Sequence, residues 1–254
     1  RAAATALGLL APGLRRWDRA AARRADVYLA NSTVTRRAIR DAYGIEAEVL
    51  PPPPAMLPAG EERAVPGVEP GFLLCVARLL PYKNVDVVVQ AAQATGRTLV
   101  VVGDGPDRGR LAALAARTGT VHLLGRVDDA TLRWVYRNAS ALVAASYEDY
   151  GLTPLEAGAF GRPSVVLRDG GYLDTVVDGV TGVFFDAPEV DLVAQAVEDA
   201  AAVAWDEDAV TAHVATFGRD RFTARLRAVV EQEAGRGAAG HGAGHAAGTA
   251  RSDR

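Results

Sequence analysis

Two carboxylates separated by seven residues, Glu148 and Glu156, bracket the stretch Ser146-Tyr-Glu-Asp-Tyr-Gly-Leu-Thr-Pro-Leu-Glu156. An apolar run over 139–145 precedes it and reads as a buried strand, while Leu155 to Phe160 reads as the opening of a helix. Open α/β sheets hold their ligands at such strand-to-helix turns. Proline is preset for the first helical position, so Pro154 suggests N1, Thr153 the N-cap and Glu156 N3. Free backbone N–H groups and the positive end of the helix dipole would then form a seat for phosphate. Glu156 also fits the T-x-x-E capping box, in which it would bond the N-cap N–H. Glu148 sits in the loop, where a carboxylate faces either solvent or a ligand.

Cations stand at a second turn of the same kind. Arg78-Leu-Leu-Pro-Tyr-Lys83-Asn84 follows the apolar run 72–76 and leads into a helical pattern. Arg offers a planar fork for phosphate oxygens and Lys a point charge; a pair of solvated surface cations is the plain alternative. Gly103-Asp-Gly105-Pro106 is a third turn after a strand. A dinucleotide fingerprint would need glycine where Arg108 stands, so a nicotinamide dehydrogenase is disfavoured. What remains is a tight turn, or close backbone approach to a ligand. Gly125-Arg126-Val127-Asp128, Gly170-Gly171 and Asp178-Gly-Val-Thr-Gly182 are further turns, and their joint placement after strands suggests one crevice. Cys75 lies inside an apolar strand, no G-x-S-x-G elbow is present, and the four histidines show no zinc spacing.

The elements that must position these residues alternate regularly. Strand-like runs at 72–76, 98–102, 121–124, 140–145, 164–167 and 182–185 are interleaved with helical patterns near 84–95, 107–117 and 129–137. That alternation predicts βαβ units and a parallel sheet with helices on both faces. Before it, 14–24 reads as an Arg-rich helix and 27–30 and 47–50 as short strands, while Asn31 or Ser32 caps a helix running to about Tyr43 and stopped by Gly44. Pro51 to Pro54 and the Gly/Pro/Glu-rich stretch to Pro70 read as a linker over 51–70. Helices are expected near 189–204, 206–216 and 219–233, with a structureless tail over 234–254.

Composition sets outer bounds. The 254 residues are 49% hydrophobic and 23% charged, with net charge −3 and pI near 5.9. There is no overall basic field for nucleic acid. One cysteine excludes a disulfide framework and fits a reducing compartment. The chain opens on Arg1 without a signal-type apolar core, and reads as a fragment or processed product.

Taken in order, Arg78-x4-Lys83, Gly103-Asp-Gly-Pro106, Leu124-Gly-Arg126, Glu148-x7-Glu156, Gly170-Gly171 and Asp178-Gly-Val-Thr-Gly182 resemble the retaining GT-B glycosyltransferases of group 1, or family 4. The wording Arg78-Leu-Leu-Pro-Tyr-Lys83-Asn-Val-Asp86 is most similar to bacterial mannosyltransferase-like members. The resemblance implies an α/β fold of GT-B type: 1–50 as the end of an acceptor domain, 71–205 as the nucleotide-sugar donor domain, and 206–233 as closing helices. It implies that Arg78 and Lys83 neutralise a donor diphosphate with help from the amides of Gly151, Leu152 and Thr153. Glu148 would approach the transferred sugar, Glu156 the ribose, and Arg126-Val127 the base, with Gly103 and Gly105 in the donor turn. The position where the family usually has Glu after the Gly-Gly pair holds Asp174, which has a shorter reach.

The implied donor is GDP-mannose and the acceptor a glycan or glycolipid, with no metal and no cofactor beyond the nucleotide sugar. The implied setting is cytoplasmic, with peripheral association at the inner face of the plasma membrane as a further option. Arg15, Arg16, Arg19, Arg23 and Arg24 offer cations to anionic lipid, although such a run is more often a solvated helix face. A donor-binding module without turnover and a sugar-nucleotide epimerase are the competing readings.

Overall fold

The computed structural model describes residues 2–245, with side chains over 10–236. It divides into two compact units, Arg1–Pro51 with Arg219–Arg254, and Pro52–Gly218.

In the smaller unit, α1 (Ala2–Ala22) is followed by β1 (Leu29–Ala30), α2 (Thr33–Tyr43) and β2 (Glu48–Val49). The two short strands pair in parallel, Leu29 opposite Glu48. Ser32 caps α2 by accepting from the Thr35 N–H at 3.0 Å, and Gly44 ends it at φ 67°. The expected strands over 27–30 and 47–50 shorten to two residues each, and α1 starts well before the expected 14.

The larger unit contains β3 (Phe72–Val76), α3 (Val85–Ala94), β4 (Leu99–Val102), α4 (Arg108–Ala115), β5 (Val121–Gly125), α5 (Asp129–Asn138) and β6 (Ala139–Ala144). It continues with α6 (Leu152–Ala159), β7 (Ser164–Leu167), α7 (Tyr172–Thr175), β8 (Gly182–Phe185), α8 (Val190–Ala202) and α9 (Glu207–Ala215). Its six strands are all parallel in the order β5-β4-β3-β6-β7-β8. Renumbered from one, that is the 3-2-1-4-5-6 order of a doubly wound sheet.

Alternation along the strands builds a core on each face. Leu73, Cys75, Leu99, Val101, Ala141 and Val143 pack with α3, α4 and α8, whereas Phe72, Leu74, Val100, Val102 and Leu142 pack with α5 and α6. Successive side chains point to opposite faces, so strands covered on both sides must be apolar throughout. Burying a Val, Leu or Phe side chain fully is worth about 1.5–3 kcal/mol.

Three expectations need correcting. The stretch over 51–70 is not a free linker: its residues from Pro52 belong to the larger unit, with Met56 and Val68 buried in the core under α5. Glu62 pairs with Arg137 and Arg63 with Asp128, while the carbonyls of Leu57 and Pro58 accept from Arg133 and Arg137. A Pro-rich strap can lie on a helix when side chains of that helix satisfy its carbonyls. The closing segment is likewise divided, since α9 packs on α6 in the larger unit. The remaining helix, α10 (Arg219–His245), belongs to the smaller one, where Arg225 grips Glu48 through Nε and Nη2 at 2.5 and 2.7 Å. Finally, α10 runs into the tail expected to lack structure, because alanine offsets part of the helix cost of its glycines. Residues 246–254 of that tail lie outside the described residues.

Candidate functional site

β3 and β6 are the neighbours at which the winding of the sheet reverses, and such switch points open a crevice beyond the strand C-termini. The chain leaves β3 through Arg78 and a 3₁₀ turn, Pro81–Lys83, and leaves β6 through Ser146 to Gly151. Asn84 ties the two exits together. It is the one non-glycine residue at positive φ among the described residues, at 51°, and its Nδ2 donates to the Ala145 carbonyl at 2.8 Å. Asparagine tolerates that left-handed conformation better than most side chains.

At this crossing Lys83 and Glu148 form an ion pair, and Ser146 Oγ donates to the same carboxylate oxygen, Oε1, at 2.5 Å. Both side chains are largely withdrawn from solvent, 13% and 25% exposed. The Lys83 ammonium also lies 5.0 Å from the Tyr82 ring centroid. Two residues singled out separately in the sequence are therefore one unit here.

Arg78 and Arg126, by contrast, are exposed, and their side chains make no hydrogen bond or ion pair with other described residues. With Leu80, Asp104, Gly105 and Pro106 they line a pocket of about 370 Å³. Its single carboxylate, Asp104, already accepts from the Gly105 N–H at 2.8 Å and lies 3.8 Å from Arg108. Two uncommitted guanidinium groups in one pocket suit a multiply charged anion. Val127, next to Arg126, packs into the core beside α5.

The glycines hold these loops together. A Cβ at Gly103, φ 131°, would come 1.9 Å from the Ala77 carbonyl oxygen, and one at Gly105 would come 2.3 Å from that of Leu79. Backbone bonds Leu79 N to Asp104 O, 3.0 Å, and Asp107 N to Leu79 O, 3.1 Å, close the contact. The space freed at Gly103 and Gly105 is thus filled by the neighbouring loop. In the same way Gly171 N donates to Glu148 O at 2.7 Å, and a Cβ at Gly171 would meet Tyr150 Cα at 2.3 Å.

The helix after β6 starts earlier than expected. Gly151, at φ 83°, is the N-cap, so Leu152, Thr153 and Pro154 occupy the first turn and Glu156 falls in the second. Only glycine takes that backbone conformation cheaply, and this starts the helix two residues early. The amides of Leu152 and Thr153 lack intrahelical acceptors, and Pro154 has no N–H to satisfy. The capping box is excluded. Glu156 instead accepts from the Tyr136 hydroxyl at 2.7 Å and from the Met56 N–H at 3.4 Å. Tyr136 and Asn84 were not singled out from sequence. Their partners are distant in the chain, and the Asn after a Pro-Tyr-Lys turn was the only local sign of a left-handed residue.

Burial raises the pKa of Glu156 above 4.5, opposed by the bonds from Tyr136, Met56 and Ala55. A carboxyl whose folded pKa is raised favours the folded state while protonated. That contribution is complete below about pH 4.5 and is lost as pH rises through the folded pKa. Glu156→Gln should therefore flatten this part of the stability profile, with the melting temperature of wild type falling relative to the variant from pH 4 to pH 7. Parallel melting curves for the two proteins would refute it.

Other candidates are structural. Cys75 is buried and burial pushes its thiol up to about 12. His213 Nε2 lies 3.0 Å from the Thr175 carbonyl. Among the described residues no three His, Cys, Asp or Glu side chains converge as a metal site, and no helix is long and apolar enough to cross a membrane.

A doubly wound parallel sheet with cationic and Gly-rich loops at its switch point has the architecture of a GT-B glycosyltransferase domain. Solved structures of this fold include the lipopolysaccharide outer core galactosyltransferase WaaB in its apo form, at TM-score 0.67 and 20% identity over 82% of this chain and 62% of that one. A glycosyltransferase from Rickettsia africae ESF-5 aligns at 0.70 and 16% identity, over 81% and 63%. Residues 61–203 match the family model of the glycosyl transferases group 1, and the chain belongs to that family. The GDP-mannose-dependent alpha-(1-6)-phosphatidylinositol monomannoside mannosyltransferase of Mycolicibacterium smegmatis is 32% identical over 172 residues, covering 61% of this chain and 45% of that protein. D-rhamnosyltransferase WbpZ of Pseudomonas aeruginosa is 33% identical over 129 residues, 48% of this chain and 33% of that protein. The chain spans less than half the length of these two relatives.

Proposed function

We propose that this chain is the donor-binding part of a retaining family 4 hexosyltransferase that takes mannose from GDP-mannose and passes it to a glycan or lipid-linked acceptor. The observation that carries this reading is the pair of uncommitted arginines, Arg78 and Arg126, at the switch point beside the Lys83–Glu148 pair. In this reading Arg78 and the amides of Gly151, Leu152 and Thr153 meet the charge that develops on the departing diphosphate. Fixed donors aimed at developing charge are a large source of rate. Lys83 joins them while holding Glu148 toward the sugar. Arg126 and Val127 form the base side. Glu156 reaches ribose hydroxyls by releasing Met56 N–H, a longer bond than the one from Tyr136. The donor choice is supported by the named activity of the mycobacterial relative. No metal is assigned a role. The working place is the cytoplasmic side of the membrane, with contact to it peripheral.

Titration calorimetry with GDP-mannose, GDP and UDP-glucose in the presence of EDTA tests the reading. GDP and GDP-mannose should bind more tightly than UDP-glucose and without metal; absence of binding by any nucleotide would overturn it. The competing reading is donor binding without turnover. That form would bind donor yet release no GDP to water or to any acceptor.

A further inference from the structure

We propose that the segment Pro52–Met56 competes with a nucleotide's ribose for the Glu156 carboxylate, and that Tyr150 is the positioning residue that keeps the segment in place. This rests on the donor-site reading, in which Glu156 takes the ribose, and adds what the ribose must displace and what holds it there.

Proline has no N–H to donate, so Pro51-Pro52-Pro53-Pro54 is a stretch of hydrogen-bond acceptors only. Such a run is a semi-rigid rod. It can be fastened through its carbonyls or through the first amides beyond it, and both fastenings come from one stretch of chain, 150–156. The Tyr150 hydroxyl donates to the Pro52 carbonyl at 2.7 Å. Glu156 accepts from the Met56 N–H at 3.4 Å, and the Ala55 N–H is directed at the same carboxylate. The Tyr150 ring is buried against Leu155 and Val214, so packing aims its hydroxyl. All of these groups belong to the larger unit, and Pro52 is its first residue, where the chain arrives from the smaller one.

The two holds differ in strength. The Tyr150 bond has the usual O–H···O length, whereas the Met56 bond is stretched beyond the usual N–H···O range. A ribose diol can approach Glu156 more closely than that amide does, and it displaces the weaker hold while Tyr150 keeps the stronger. The Met56 side chain stays buried in the core, so the displacement loosens the amides without detaching the strap. Coupling of this kind is reciprocal: whatever fixes the segment against Glu156 weakens the nucleotide by the factor with which the nucleotide loosens the segment. Tyr150 therefore tunes donor affinity without touching the donor.

GDP and 2′,3′-dideoxy-GDP, which keeps the base and diphosphate but lacks the diol, would be titrated by calorimetry into wild type and Tyr150→Phe. Hydrogen exchange at the Ala55 and Met56 amides would be followed by NMR on the same samples. In wild type GDP should speed exchange at both amides, while the dideoxy compound leaves them as in the free protein. Tyr150→Phe should bind GDP about 2- to 10-fold more tightly, as expected from losing one neutral hydrogen bond on the competing side, and should bind the dideoxy compound as wild type does. Unchanged GDP affinity, or weaker binding of both ligands, would show that Tyr150 only shapes its loop and would overturn the proposal. GDP binding to wild type with unchanged or slower exchange at the two amides overturns the competition and leaves the donor reading intact. Failure of GDP to bind wild type overturns the donor reading and the competition with it.

Discussion

Gly103→Ala should lower the melting temperature by roughly 6–16 °C and remove most nucleotide binding with it. Two costs combine at this position. The backbone sits at φ 131°, where a Cβ is strained by about 1–3 kcal/mol. The Cβ would also lie 1.9 Å from the Ala77 carbonyl oxygen, a backbone atom that cannot swing away. Overpacking of that kind costs about 1–3 kcal/mol or more. The sum spans about 2–6 kcal/mol with a middle near about 3–4 kcal/mol, and each kcal/mol moves the transition of a chain of this size by about 2–4 °C. Gly119→Ala is the control, because it shares a positive φ of 72° but meets nothing within 4 Å. Strain alone should lower its transition by only a few degrees. Equal effects in thermal scans of the two variants would show that the loop contact at Ala77 does not matter.

The second large effect is on ligand rather than fold. Arg78→Ala should weaken GDP binding about 10- to 100-fold, the loss of about 1.5–3 kcal/mol carried by a charge-assisted hydrogen bond. Its melting temperature should stay within about 1 °C of wild type, since an exposed side chain without partners leaves nothing unpaired when removed. Lys83→Ala makes an instructive contrast. Removing it strands the partly buried Glu148 carboxylate, so affinity and stability should fall together. Calorimetry and thermal scans on the same preparations separate the cases. An Arg78 variant that binds GDP normally would remove Arg78 from the donor site.

These expectations draw on what the sequence made legible and on what only the fold supplies. The six strands could be read directly, because strands buried on both faces must be continuously apolar and all but the last run into a turn that carries glycine or a cation. The placement of Arg78 and Glu148 at one crevice followed from that alternation. The start of α6 did not. Thr153-Pro154 carries the signature of a cap and first residue, but the freedom of Gly151 to turn left-handed overrides it. Nor did the partners of Glu156, since Tyr136 and Met56 are brought to it by packing rather than by spacing. The strap from Pro52 to Pro70 reads as linker by composition, whereas its order comes from the arginines of α5 beneath it. In the last two cases the missing information was a partner far away in the chain.

The sealed position of Cys75 has a practical side. It is the chain's only sulfhydryl, and a thiol held largely neutral inside a strand does not react with alkylating dyes under native conditions. A cysteine introduced at an exposed position such as Tyr147 would therefore be the sole addressable handle, with no native residue to remove first. The chain is suited as it stands to single-site fluorescence or spin labelling at the rim of its crevice.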